Sequence, residues 1–247
     1  MRRLRTAIRR LVSLIDAAQA VAPRRALAAQ RHRLKAQLRS LSALRDSDIT
    51  RRFINLYSPD NPSLALLDQE LRSRRATIAG QVRQSLVAFD PKPLRNSVAY
   101  TSNHLLGQTG ERVKSGFIGF LDDTLSGILQ ARARASSNDL GSIHRLRIAF
   151  KKIRYVVEGL RPVFADLKAD QVDAMHRFHA LLGQIQDVTV IASGIRSFGE
   201  SRNQVVRNEL KPVLESLIAQ RSKLVADLEP AADQALDYWV KQIALSS

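Results

Sequence analysis

The sequence predicts an all-α protein built as two helical bundles related by a pseudo-twofold axis. Three observations lead there. Apolar residues recur at three- and four-residue steps through nearly all of the 247 positions, punctuated by only 11 glycines and 8 prolines, and no strand pattern with hairpin turns appears. The basic string RRLRTAIRRLV at Arg2 to Val12 returns as HRLRIAFKKIR at His144 to Arg154. About forty residues after each copy comes an aspartate in a Leu- or Ile-rich helix end, Asp46 in SALRDSDI and Asp187 in GQIQDVTVI.

The elements follow in order. A helix over 2–20 carries the first basic copy and stops at Ala22-Pro23. The next, 24–45, sets Arg24, Arg31, Lys35 and Arg39 beside a Leu27, Leu34, Leu38 and Leu41 face, and a short helix over 47–57 follows. Ser58-Pro59-Asp60-Asn61-Pro62 breaks the chain, and Asn61 ahead of Pro62 supplies the start of a helix over 63–88. Asp90-Pro91-Lys92-Pro93 separates it from 94–106, after which 109–133 runs to the break between Ser136 and Gly141. Asp139 then starts a helix over 139–161 that carries the second copy and ends at Arg161-Pro162. Helices over 168–182, 185–198, 202–227 and 230–245 complete the chain, the last opened by Glu229-Pro230. The duplication divides this single domain of 1–247 into subdomains over 1–136 and 137–247.

Composition bounds the function. At 45% hydrophobic residues the chain buries a substantial core, and the absence of cysteine excludes disulfides, thiolate metal sites and a cysteine nucleophile. That absence is compatible with a cytoplasmic location, which is the expected one. No run reaches the roughly 18 apolar residues of a membrane-spanning helix. The Arg-rich first 30 residues resemble an organellar targeting peptide in composition, but such a peptide has no reason to be copied at residue 143.

The formal charge of +16 is localised. Residues 1–56 carry 14 Lys/Arg against 3 Asp/Glu, and residues 132–161 carry 8 against 2, while the rest of the chain is close to neutral. Two concentrated basic stretches make a field suited to an elongated polyanion. On a helix, His144, Arg147, Lys151 and Arg154 fall within about 80° of one another, with Leu146, Ala149, Phe150, Ile153, Val157 and Leu160 opposite. Arg2, Arg5 and Arg9 take the same relative positions in the first copy, opposed by Leu4, Ala7, Ile8, Leu11 and Ile15, and Val12 stands where Arg154 would be. The line of Arg31, Lys35 and Arg39 is expected to border the same groove. A solvated helix face explains one such stripe; it does not explain two copies that keep cations on one arc and acids elsewhere.

These residues resemble a known family. HRLRIAFKKIRY with LLGQIQDVTVI is similar to the second half-motif of the conserved-histidine α-helical domain, CHAD, and RRLRTAIRRL with LRDSDI is similar to the first. The resemblance spans essentially the whole chain. It implies two bundles whose basic helices line a central groove that binds inorganic polyphosphate, with Arg5, Arg9, Arg10, His144, Arg147, Lys151, Lys152 and Arg154 as the matching positions. It also implies a triphosphatase or other protein partner, since members occur alone or beside a tunnel-type triphosphatase domain, and an association with polyphosphate granules. One departure is that Arg2 stands where the first motif usually begins with histidine, one residue after Met1, which leaves the native start open.

The remaining candidates are weighed against chemistry. His144 is suited to donate to a phosphate when protonated, or to fix an arginine when neutral. His176 and His179 sit three apart, but nothing like a metal motif surrounds them, so packing is the expectation and neither metal nor cofactor is predicted. Asp46 and Asp187 are read as fixing neighbouring arginines. No phosphate-cradling GxxxxGK[ST] loop, GxSxG elbow or alternating ExExK acids occur, and Glu158 is the only acid on the second basic arc, so a non-enzymatic binder is expected over a phosphate-handling enzyme. Nucleic acid is the rival polyanion, disfavoured because the basic helices carry few aromatics for stacking. A membrane surface is disfavoured because the apolar faces are already used in packing.

Overall fold

The computed structural model describes residues 2–57, 59–136, 139–164 and 167–246, with the side chains of Arg2 and of 242–246 outside the described set. The chain is all-α. Its elements are α1 (Arg2–Val21), α2 (Arg25–Tyr57), α3 (Pro62–Val87), α4 (Lys92–Leu106), α5 (Gly110–Ala133), α6 (Leu140–Gly159), a 3-10 turn (Arg161–Phe164), α7 (Ala169–Glu200), α8 (Gln204–Ala226) and α9 (Leu228–Ser246). Extended pairing among the described residues is limited to one bridge between Ser136 and Asp139.

Helix starts follow side-chain chemistry. The Asn61 side chain accepts the Leu64 N–H at 2.9 Å with Pro62 in the first turn, and Asp139 accepts the Gly141 N–H at 2.9 Å. Both were expected. Thr109 and Asn203 cap α5 and α8 in the same way, each satisfying an amide that the helix leaves unpaired.

Two expected breaks are absent. Residues 24–45 and 47–57 form the one helix α2, and 168–182 and 185–198 form the one helix α7. Asp46, expected at a helix end, lies mid-helix with its carboxylate held by Arg45 at 2.9 Å. Gly183 is also mid-helix, where one glycine costs only about 1 kcal/mol. At ~1.5 Å per residue, helices of 33 and 32 residues each run close to 50 Å, enough to cross two cores.

That span organises the packing. One core joins Ile8, Val12 and Ile15 of α1 to Leu27, Leu34 and Leu41 of α2 and Val82 of α3. A second joins Ile54 of α2 and Leu64 and Leu67 of α3 to Val188 through Phe198 of α7 and to Leu210 and Leu217 of α8. The largest gathers Phe120 and Ile128 of α5, Phe150 and Ile153 of α6, Met175 through Ile185 of α7 and Trp239 of α9, with the Phe150 and Phe178 rings edge to face at 4.7 Å. Residue 136 falls in the turn between α5 and α6, and core packing crosses it through α5 and through the C-terminal half of α2. Val12 is core rather than part of a cationic stripe, because α1 turns that side to α2; Leu4 and Ala7, expected to be inward, are exposed.

The site depends on α1 meeting α6. Gly159 permits the approach, since a Cβ there would stand 2.9 Å from Leu14 of α1. With Ile143, Leu146, Phe150, Ile153 and Val157 buried in the largest core, the opposite side of α6 is turned toward α1 and faces α2 and α7 across a cavity.

Candidate basic cavity

Four helices line a partly open cavity of about 680 Å³. Helix α1 contributes Arg5, Thr6 and Arg9, and α6 contributes Arg147, Arg154 and Tyr155. Helix α2 adds Arg45, Asp48 and Arg52, and α7 adds His176, His179, Gly183 and Asp187. Six arginines therefore face two carboxylates, and both carboxylates are already engaged: Asp48 by Arg75 at 2.6 Å, and Asp187 by Arg45.

Arg45 is the central pairing. It donates to Asp46 at 2.9 Å and to Asp187. The two repeated aspartates thus hold one and the same arginine, rather than one arginine each. The other cations are less satisfied. The Nε atoms of Arg5, Arg147 and Arg154, and Nε2 of His179, are buried without a hydrogen-bond partner among the described residues. A buried donor in that state costs roughly 1–3 kcal/mol, more when charged.

The electrostatics match the geometry. Burial first, then Arg9 and Arg45, bring the Arg5 guanidinium down to about 10. Burial, Arg45 and Arg9 do the same to Arg147, also to about 10. Lys151 is pushed furthest among the lysines, to about 6, by burial and by Arg147, Arg9, Arg45 and Arg5. His179 falls to about 3 through burial and the fields of Arg154, Arg147, Lys151 and Arg9. Each shift disfavours the charged form, which is the signature of cations crowded without enough anion.

Of the residues singled out in the sequence, Arg5, Arg9, Arg147 and Arg154 line the cavity, and Lys151 shares its field. The side chain of Arg2 lies outside the described residues. Arg10 points away, to Glu158 at 3.1 Å, and Glu158 also accepts from Arg154 at 3.0 Å and lies 3.4 Å from His176 Nε2. Lys152 leaves the arc, with its ammonium 4.5 Å over the Phe120 ring. Arg31 pairs with Asp16, and Lys35 stands beside Arg31, Lys152 and Arg39, its pKa lowered by burial and then by Arg31. Arg31, Arg39 and Lys152 thus gather around Lys35 outside the cavity lining, separate from the Arg5 and Arg147 group. His144 is exposed and bonded to Gln186, beside a smaller recess of about 250 Å³ that Arg147 also lines.

Arg45, Arg52 and His179 are additional lining residues. The spacing of His176, Ala180, Gly183 and Asp187 at four, three and four residues was a readable signal for one helical face. His179 is a lining residue rather than packing: its ring meets Tyr155 at 6.5 Å and its Nε2 is unpaired. Among the described residues no three His, Asp or Glu side chains converge as metal ligands.

Fold and site together define an all-α protein with a partly open, cation-rich cavity between its helices. The chain belongs to the CHAD family: the family model described as "CHAD domain" matches residues 1–196. It is also similar in fold to the crystal structure of the CHAD domain from the plant Ricinus communis, with a TM-score of 0.63 at 21% identity, over 94% of this chain and 79% of that one. No curated protein gives a sequence match. No described helix is long and apolar enough to cross a membrane.

Proposed function

We propose that this chain binds inorganic polyphosphate in the basic cavity and performs no chemistry on it. The observation that carries this reading is the set of buried, unpartnered N–H groups on Arg5, Arg147 and Arg154 beside the depressed Lys151 and His179. A phosphate chain offers acceptor oxygens all along its length, so one ligand satisfies several of these donors at once. Arginine supports the reading over lysine-rich alternatives, because its planar fork matches phosphate oxygens in pairs. The carboxylates near the cavity are occupied in ion pairs, which favours binding over general acid or base work.

Duplex nucleic acid is disfavoured by the shape. The cations line a partly open recess bounded by four helices, whereas a duplex presents its phosphates on a convex surface that meets a flat basic face. Tyr155, the aromatic residue in the lining, is buried and held against His179.

The test is a comparison of long-chain polyphosphate with single-stranded DNA, duplex DNA and RNA at physiological salt, repeated at several salt concentrations. Polyphosphate is expected to bind most tightly, with the logarithm of affinity falling linearly with the logarithm of salt as counterions are released. Tighter binding of a nucleic acid, or a flat salt response, overturns the reading.

A further inference from the structure

Beside the basic cavity lies a second cleft of about 780 Å³, and the two share Ile49, Arg52 and Asp187 as a common wall. The second cleft differs in character. Helix α7 forms its floor with Val188 and Ile191, while α2 and α8 form its sides. Phe53 and Tyr57 of α2 line it with rings 5.5 Å apart and inclined by only 27°, and Tyr57 is 73% exposed. Around this apolar ground sit Gln184, Ser216 and Gln220, which supply amide and hydroxyl groups.

An occupant reaching across both spaces must be flat and apolar with polar edges at one end and multiply anionic at the other. We propose that the cleft and the cavity form one composite site for a nucleoside oligophosphate, with the base against Phe53 and Tyr57 and the phosphates running past Arg52 toward Arg45 and Arg147. This rests on the reading of the basic cavity as a phosphate site. The dimensions agree. The cleft is within the ~300–1,000 Å³ of small-molecule sites. From Phe53 back to Arg45 is eight helical residues, about 12 Å along α2, a span that a short oligophosphate covers. Stacking on an aromatic face tolerates any base, while the ring of amides and hydroxyls offers hydrogen bonds to its edges.

Charge alone predicts the opposite preference from stacking, which makes the test sharp. Inorganic tetraphosphate carries at least as much negative charge as adenosine 5′-tetraphosphate, so a purely electrostatic site binds the inorganic form as well or better. Calorimetry on the full chain is expected to show the nucleoside form binding at least fivefold more tightly. Tyr57→Ala, at an exposed position where truncation spares the core, is expected to reduce that advantage to less than twofold and leave inorganic tetraphosphate unchanged. Ser216→Trp, which fills the cleft from the exposed side of α8, is expected to do the same. Equal or weaker binding of the nucleoside form overturns the proposal while leaving the phosphate site intact, and so does a parallel loss for both ligands in both variants. Failure of both ligands to bind the parent protein removes the phosphate reading itself, and this proposal with it.

Discussion

Lys151→Met is expected to make the protein more stable and a poorer binder. The Lys151 ammonium is half-buried and meets the fields of Arg147, Arg9, Arg45 and Arg5, so its pKa in the folded protein is about 6. In the unfolded chain the amine returns to the ordinary value near 10.4. Between those limits the unfolded state binds the extra proton, so stability rises with pH across that window. Below about 6 the penalty is fully present, and above about 10.5 it is gone. At pH 7.5 the gap to the unfolded value is about three units at ~1.4 kcal/mol each, a ceiling near 4 kcal/mol. Water and buffer anions entering the cavity relieve part of this, so the expected gain from Lys151→Met is about 2 kcal/mol, or roughly 4–8 °C in Tm for a chain of this size. Methionine keeps the unbranched stem and removes the amine that must lose its proton on folding. Thermal and urea unfolding in phosphate-free buffer at pH 7.5 and 9.5 measure the effect, with the difference between variant and parent shrinking at the higher pH. Long polyphosphate should raise the Tm of the parent more than that of the variant, since only ligand that favours the folded state stabilises it. A variant no more stable than the parent at pH 7.5, or a difference independent of pH, refutes the reasoning.

Binding should take up protons, because an anion in the cavity restores the charged forms of Lys151, at about 6, and His179, at about 3. Affinity for polyphosphate is then expected to improve as pH falls from 8.5 toward 6, by up to about tenfold per unit for one coupled proton, and calorimetry in two buffers of different ionisation heat reads the uptake directly. Lys151→Met should flatten this dependence, whereas His144→Gln, at an exposed residue bonded to Gln186 and outside the cavity lining, should behave as the parent. Equal flattening by His144→Gln moves the proton-linked group to α6's N-terminal end. Charge reversal at the cavity is a further check: Arg147→Glu is expected to weaken polyphosphate binding at least tenfold, while Arg95→Glu, on the exposed side of α4, changes it less than twofold at physiological salt. Comparable losses in both variants would mean that net charge, rather than this cavity, sets the affinity.

Much of the fold was legible because its determinants are local. The caps at Asn61 and Asp139 act within three residues, and the buried face of α6 repeats at helical spacing. The errors came where local chemistry was overruled by distant packing. Asp46-Ser47-Asp48 has the composition of a helix break, yet Ser47 and Thr50 are buried and Leu44 and Ile54 are committed to cores, so the helix gains more by continuing. Gly183 resembles a helix stop, but Leu182 and Ile185 beside it are both fully packed, and a Cβ at Gly183 would meet nothing within 4 Å. Its position in the cavity lining shows what the small residue does there, which is to leave room on the α7 wall.

The site was legible on α1 and α6 and partly hidden on α2 and α7, for a physical reason. A cation stripe announces itself when it is unpaired, as Arg5, Arg9, Arg147 and Lys151 are in sequence. Arg45 is written into an acidic string, LRDSDI, whose carboxylates mask it, and its role depends on Asp46 and Asp187 holding the same guanidinium from two helices. That arrangement also explains why the acids recur near so basic a cavity. They neutralise the one arginine at its centre, and the surrounding Arg5, Arg147 and Lys151 remain short of anionic partners. Fixing Arg45 from both sides keeps the cations from spreading apart to relieve their repulsion. On the proposed function, the repulsion that an isolated cluster would shed by moving is therefore kept available for relief by a bound phosphate chain.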